Sequence, residues 1–248
     1  HMLPQTPDMD ERSPILVAIA LQRLIYVLAC RRGKRQFMAS LQPVPHMVSV
    51  ILLALALAAP ALAQSRGAAD SVMVFGGVAS ETNFTDLLIS PWTAEVNAIG
   101  VVGGSYAHRF GTVNELTGGI GHLGDDLTVE GEAGVSARFG DEDLGEAWTA
   151  LYLRYDGLPW NETVYTTIGV NTGVSLLTNL SDFERWRDDK GRSSVFLHYL
   201  GPEFTFANPE NKDLELVLRL HHRSGVFGLF DGVVSGSTFL SAGIRVRF

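Results

Sequence analysis

Apolar and polar residues alternate along four long segments of the chain. In one segment, apolar or small residues occupy every odd position from Leu127 to Phe139. In another, four leucines occupy the even positions from Leu214 to Leu220. A period of two residues is typical of a β-strand with two different faces, because a helix repeats about every 3.6 residues. Turn-rich polar stretches separate the segments, so the pattern predicts an all-β protein from about residue 64 onwards.

The same pattern gives a count of strands. It predicts eight strands, near residues 71–79, 94–110, 126–139, 146–156, 163–176, 193–206, 214–225 and 237–248. A ninth candidate, Thr112 to His122, alternates poorly. A single-chain barrel needs an even number of strands to bring both termini to the same side of a membrane. We therefore leave the ninth candidate out and predict a barrel of about eight antiparallel strands.

Three features favour a transmembrane barrel over a soluble one. The strands are about ten to fourteen residues long, which suits a tilted bilayer crossing, whereas soluble strands usually have about five or six. Opposite charges such as Glu203 and Arg219 lie on the polar faces and can pair inside a narrow barrel. The chain ends on Ile244-Arg-Val-Arg-Phe248, and this aromatic end resembles the signal read by the outer-membrane insertion machinery. We predict a barrel in the outer membrane of a Gram-negative bacterium.

The N-terminal part predicts export. Residues 47–63 form a short apolar run that ends in Ala61-Leu62-Ala63, with Pro60 just before. Small residues at these positions are typical of a signal-peptide cleavage site. The sequence therefore predicts an upstream extension outside the fold (1–46), a cleaved signal peptide (47–63) and an outer-membrane barrel (64–248).

Charge and cysteine content exclude several classes of function. The first 63 residues carry six basic and three acidic side chains, so the net charge of −8 for the whole chain becomes −11 for the remainder. A strongly acidic chain is a poor partner for nucleic acid. The one cysteine, Cys30, precedes the predicted cleavage point, which leaves neither a disulfide framework nor a thiol nucleophile. His108, His122 and His198 are widely separated, so we predict no metal and no cofactor.

Two other groups of residues receive structural interpretations. Glu130 and Glu132 are carboxylates on one face of a strand, and we interpret them as members of an internal salt-bridge network. The larger aromatic residues are expected in loops or in the girdles that flank the bilayer: Trp92, Trp148, Trp160, Trp186, Tyr106 and Tyr155.

The seventh strand carries the candidate chemistry. If its leucines face lipid, so do His222 and Ser224, which continue the even positions near the extracellular end. Polar groups on a lipid-facing surface cost free energy unless they lie at the interface or have a function. Residues two apart on a strand share a face, about 6–7 Å apart, so the imidazole of His222 can approach the Ser224 hydroxyl as a base approaches a nucleophile.

This pair resembles the lipid A 3-O-deacylases of the PagL type. The likeness rests on a His-x-Ser pair in the penultimate strand of a small barrel, ahead of a terminal Phe248. The resemblance implies that Ser224 is the nucleophile and His222 the general base of an esterase that acts on an ester-linked acyl chain of lipid A. It also implies an acid after the serine, where this chain reads Ser235-Gly-Ser-Thr-Phe239, and an asparagine where it has Gly225. Asp231 or Glu203 are the candidate substitutes for the acid, of which Glu203 is expected to point inward and pair with Arg219 or Arg245.

Two other interpretations stay open. With the acid missing, the barrel can be a structural or lipid-binding relative that has lost catalysis. In that case His221 and Arg223 near the outer rim are candidate ligands for lipopolysaccharide phosphates. A small pore is the third hypothesis, although an eight-stranded barrel leaves an interior that side chains fill.

Overall fold

The computed structural model describes residues 69–119 and 121–248. They contain eight antiparallel strands in a closed barrel, in which each strand pairs with the next and the last pairs with the first. The strands are β1 (Asp70–Ser80), β2 (Val96–Thr112), β3 (Leu127–Gly140), β4 (Leu144–Tyr155), β5 (Tyr165–Leu177), β6 (Phe196–Asn208), β7 (Asn211–Ser224) and β8 (Gly236–Arg247). The prediction of an eight-stranded barrel is confirmed. The predicted upstream extension and signal peptide lie outside the described residues.

Three short α-helices lie in the connections: α1 (Phe84–Ile89), α2 (Val113–Thr117) and α3 (Asp182–Arg187). Helix α2 occupies the rejected ninth candidate. The Thr112 side chain accepts from the backbone N–H of Glu115, and the Glu115 side chain accepts from that of Thr112. This capping box satisfies N–H groups at the start of a helix, which explains why the segment leaves the strand pattern.

The faces of the barrel are inverted relative to a soluble protein. On β7 the odd positions Glu215, Arg219 and Arg223 point inward and are buried, while Leu214 and Leu218 point outward and are exposed. Val135 of β3 and Leu151 of β4 are 64% and 60% exposed on the same outer surface. An apolar outside around a polar inside is the arrangement of a transmembrane barrel.

The interior is filled by ion pairs and aromatic rings. Towards the chain termini, carboxylates and guanidinium groups form one buried network: Glu130, Glu132, Glu203, Glu215, Arg154, Arg219, Arg245 and Arg247. The expected network role of Glu130 and Glu132 is therefore confirmed, as is the pairing of Glu203 with Arg219 and Arg245.

An aromatic layer follows further along the strands. Trp148 is 4% exposed, points inward and donates to Glu132 over 2.8 Å. Its expected place in a girdle or loop was wrong, because it shares the inward face of β4 with Glu146 and Arg154. Large rings pack around it at mid-barrel, among them Phe75 and Tyr199.

Four connections lie at the end of the barrel opposite the termini, and we call them loop 1 (81–95), loop 2 (141–143), loop 3 (178–195) and loop 4 (225–235). Three of them are long, as is typical of the extracellular end. Helix α3 in loop 3 closes this mouth from inside. Its Glu184 is 0% exposed and accepts from Arg223 (2.7 Å) and Ser237 (2.8 Å), both on strand walls.

Candidate functional site

His222 and Ser224 lie on the lipid-facing wall, as the alternation on β7 predicted. Both are half-buried and stand on the face opposite His221 and Arg223, near the extracellular end of β7. Ser224 lies directly across from His198 on β6 in the pairing register. Directly opposite residues in an antiparallel pair have Cβ atoms about 4.5–5.5 Å apart. The serine is therefore flanked by two imidazoles, and the second, His198, is absent from the sequence-based site.

The His222 ring is held from two sides. Its Nδ1 lies 2.8 Å from Thr238 Oγ1, which belongs to the opposite position on β8. Its face stacks on Phe84 of loop 1, with ring centroids 4.2 Å apart and planes inclined by 20°. Thr238 occupies the place beside the imidazole where a catalytic triad has its orienting acid. A hydroxyl can fix the ring's orientation, but it cannot stabilise an imidazolium by charge.

Ser224 has a free hydroxyl. Among the residues that the structure describes, it makes no hydrogen bond, and none joins it to His222. Its neighbour Gly225, the first residue of loop 4, packs closely against Val233 of the same loop, because a Cβ added there would overlap the Val233 carbonyl oxygen. The asparagine that the family resemblance implies at this position has no space in this arrangement.

Neither candidate acid contacts His222. The Asp231 carboxylate accepts a hydrogen bond from Ser194 of loop 3. Glu203 is 1% exposed and points into the lumen, where it binds Arg219 and Arg245. The catalytic role of Asp231 stays a prediction to which this geometry lends no support.

His221 and Arg223, the predicted phosphate ligands, both point inward and are 0% exposed. His221 Nε2 lies 3.0 Å from Glu146 and its Nδ1 lies 3.1 Å from the Tyr199 hydroxyl. Arg223 is paired with Glu184. Their role in lipid binding stays a prediction, and their odd position on β7 directs both side chains away from the membrane.

Loop 3 holds both loops beside the site, loop 1 and loop 4, in place. Arg187 of α3 donates to the carbonyl oxygens of Ser80 (3.0 Å) and Glu81 (2.6 Å), where loop 1 leaves β1. Asp188 accepts from the backbone N–H groups of Val234 (2.8 Å) and Ser235 in loop 4. Burial opposes ionisation of Asp188, but the backbone donors outweigh it and lower the pKa of the carboxyl below its ordinary value.

The described part of the chain lacks both a membrane-spanning helix and a cluster of metal-binding side chains. No helix there is long and apolar enough to cross a membrane. Within residues 69–119 and 121–248, no group of three or more His, Cys, Asp or Glu side chains is arranged to hold a metal ion.

The closed barrel, its charged interior and its apolar outer wall define the class of protein: an eight-stranded outer-membrane β-barrel. No protein family and no curated protein matches the chain. Among solved structures, Neisserial surface protein A is 15% identical with a TM-score of 0.42, over 74% of this chain and 100% of the other. Ail, the attachment invasion locus protein of Yersinia pestis, is 13% identical with a TM-score of 0.31, over 71% and 97%. Nothing about function follows from likenesses of this size.

Proposed function

We propose that this outer-membrane barrel binds a lipopolysaccharide-type lipid of the outer leaflet at the wall formed by His198, His222, Ser224 and Thr238, without hydrolysing it. The observation that carries the proposal is the composition of this patch. It offers the imidazoles of His198 and His222 and the hydroxyl of Ser224 on a surface that otherwise faces acyl chains. Thr238 is buried and supports this surface as the hydrogen-bond partner of His222. Among the described residues, no Asp or Glu pairs with any of these four side chains.

The chemistry of the patch suits a phosphorylated or hydroxylated headgroup. Imidazole N–H and hydroxyl groups donate to phosphate oxygens, and a phosphate supplies the negative charge that the patch lacks. Because the patch lies at the extracellular end of β6, β7 and β8, its depth corresponds to the headgroup side of the outer leaflet. A free serine hydroxyl next to lipid is costly when it has no partner, and a bound headgroup provides one.

The binding test uses the purified full chain in detergent, titrated with lipopolysaccharide and observed by native mass spectrometry. We expect His222→Ala and His198→Ala each to weaken binding about tenfold or more, since one hydrogen bond to a charged group contributes about 1.5–3 kcal/mol. His108→Ala is the matched control, because His108 also points outward but lies on β2 near the chain termini, at the end of the barrel opposite the patch. Equal affinity in all four proteins would refute the proposal.

An esterase is the second candidate function, and one observation favours it. Thr238 Oγ1 lies beside Nδ1 of His222, and Ser224 follows two residues later on the same face of β7. A serine and histidine without their acid retain a small part of the rate of a complete triad. The test is a mass spectrum of lipid A from cells that express the protein, Ser224→Ala or an empty vector. Loss of one hydroxyacyl mass with the wild type alone would establish hydrolysis, and three identical spectra would exclude it under those conditions.

A further inference from the structure

Loop 1 folds outward over the wall of the barrel. Its Phe84 stacks on His222 of β7, although loop 1 joins β1 to β2 and β8 lies between β1 and β7. Thr238 of β8 points towards the lipid side, where it binds His222, yet it is only 1% exposed. A lipid-facing side chain is buried only when another part of the protein covers it. Loop 1 therefore lies against the outer surface at β8 and β7.

Loop 4 also folds outward, over the neighbouring strand. The ring of its Phe230 lies 5.8 Å from Phe196 and 6.3 Å from His198. Both partners stand on the lipid-facing side of β6, as their half-buried or exposed positions alternate with buried Leu197 and Tyr199. The site around Ser224 thus has loop 1 on its β8 side and loop 4 on its β6 side.

Both loops carry large apolar side chains that contact little of the protein. In loop 1, Ile89 is 71% and Trp92 is 80% exposed, and in loop 4, Phe227 is 94% and Leu229 is 77% exposed. Asp86 is the one charged residue in 84–94 and Asp231 the one in 225–235. An exposed apolar group of this size is unfavourable in water and marks a surface that binds a partner or a membrane.

The backbone of loop 4 is constrained to present its apolar side chains. Val226 and Phe227 have φ of 48° and 57°, a region that β-branched and bulky residues rarely adopt. Asp188 and Arg192 of loop 3 hold the far part of the loop, through the N–H of Val234 and the carbonyl of Gly232. A strained backbone persists only where the surrounding structure fixes it. The conformation of loop 4 therefore holds the Phe227 ring in its exposed position.

We propose that loops 1 and 4 are membrane anchors: they lie in the outer leaflet on either side of His222 and Ser224, so that a lipid enters the site through the slot between them. The partner is the lipid surface itself, because the apolar side chains continue the lipid-facing wall through Phe84 and Phe230. Interfacial segments of this kind place Trp, Phe and Leu at the boundary between headgroups and acyl chains. This inference does not depend on which lipid the site binds.

The test measures membrane depth at single labelled positions. The one cysteine of the chain is Cys30, so Cys30→Ser provides a background for Ile89→Cys and Phe227→Cys, each with a nitroxide label. Leu218→Cys, on the lipid-facing wall, and Asp189→Cys, exposed in loop 3, are the matched references. The proteins are refolded into phosphatidylcholine vesicles, and folding is checked by the heat-dependent shift of the barrel in gel electrophoresis.

We expect the labels at 89 and 227 to collide with oxygen in preference to a water-soluble nickel chelate, as the label at 218 does. The label at 189 should show the opposite preference. Chelate access at 89 and 227 equal to that at 189 would overturn the proposal, and chelate access at one of them would overturn the two-sided arrangement. Because these vesicles contain no lipopolysaccharide, failure here is distinguishable from failure of the lipopolysaccharide titration.

Discussion

The buried carboxylate of Glu203 offers a direct test of what stabilises the barrel. It accepts from Arg219 Nε (2.7 Å) and from Arg245 Nη1 (2.7 Å) and Nη2 (2.9 Å), and also from the Tyr152 hydroxyl. All four side chains have almost no access to solvent. In Glu203→Gln the shape is kept and the charge is removed, so that Arg219, Arg245 and the more distant Arg154 lose a counter-charge that water cannot replace.

The expected magnitude follows from the partners that remain. Removing one member of a buried ion pair costs about 3–5 kcal/mol when the other member is left without compensation. Arg219 keeps Glu132 at 2.7 Å, and Arg245 keeps Glu215 at 3.0 Å. The compensation is therefore partial, and we expect a loss of about 3 kcal/mol in the free energy of unfolding.

The assay is reversible unfolding by guanidinium of the barrel refolded into lipid vesicles, followed by tryptophan fluorescence. Glu210→Gln is the matched control, because Glu210 is exposed between β6 and β7, and we expect a change within about 0.5 kcal/mol. Adding Arg245→Met to Glu203→Gln should recover part of the loss, since it removes the excess positive charge that Glu203→Gln leaves in the buried network. A loss below about 1 kcal/mol for Glu203→Gln would refute the view that the network depends on this carboxylate.

Three further predictions concern the loops and the site. Asp188→Asn should speed hydrogen exchange at the N–H of Val234, because the charged acceptor is lost. Because the pKa of Asp188 is lowered, this hydrogen bond is fully present above the ordinary value of 3.8 and is lost only as pH falls through the lower folded value. The protection factor of the Val234 N–H, which corrects for the pH dependence of intrinsic exchange, should therefore be the same at pH 7 and pH 5. Arg187→Ala should loosen loop 1 and raise the chelate access of a label at position 89, while leaving a label at 218 unchanged. Thr238→Asp places a carboxylate beside Nδ1 of His222, so a working Ser224 should hydrolyse esters faster in this variant; unchanged hydrolysis would count against the esterase candidate.

The alternation of residues predicts the wall of this barrel almost completely. Because successive side chains on a strand point to opposite sides, the leucines at 214–220 were enough to direct His222 and Ser224 towards lipid and Arg219 towards the lumen. The same rule directs His221 and Arg223 inward. Their predicted role in phosphate binding was based on the basic residue types near the outer rim. It did not take into account that the alternation of the strand directs these two side chains inward.

The surroundings of the site could not be predicted in this way. Phe84 reaches His222 because loop 1 is held by Arg187, and Arg187 contacts the Ser80 carbonyl across 107 residues of sequence. Such contacts depend on the three-dimensional path of loops that have no repeating pattern. Thr238 lies within the stretch in which an acid was expected, and only the pairing of β7 with β8 identifies it as the partner of His222.

The polar group around Ser224 differs from another polar group on the outer wall in whether its hydrogen bonds are satisfied. Near the chain termini, Asp70 accepts from Tyr106 and lies 2.7 Å from His108 Nδ1, so that group satisfies its own hydrogen bonds and needs no ligand. At the opposite end, the hydroxyl of Ser224 has no partner among the described residues. An outward polar group costs free energy in lipid until it finds a partner. We therefore base the proposed headgroup site on this serine hydroxyl rather than on the number of polar residues.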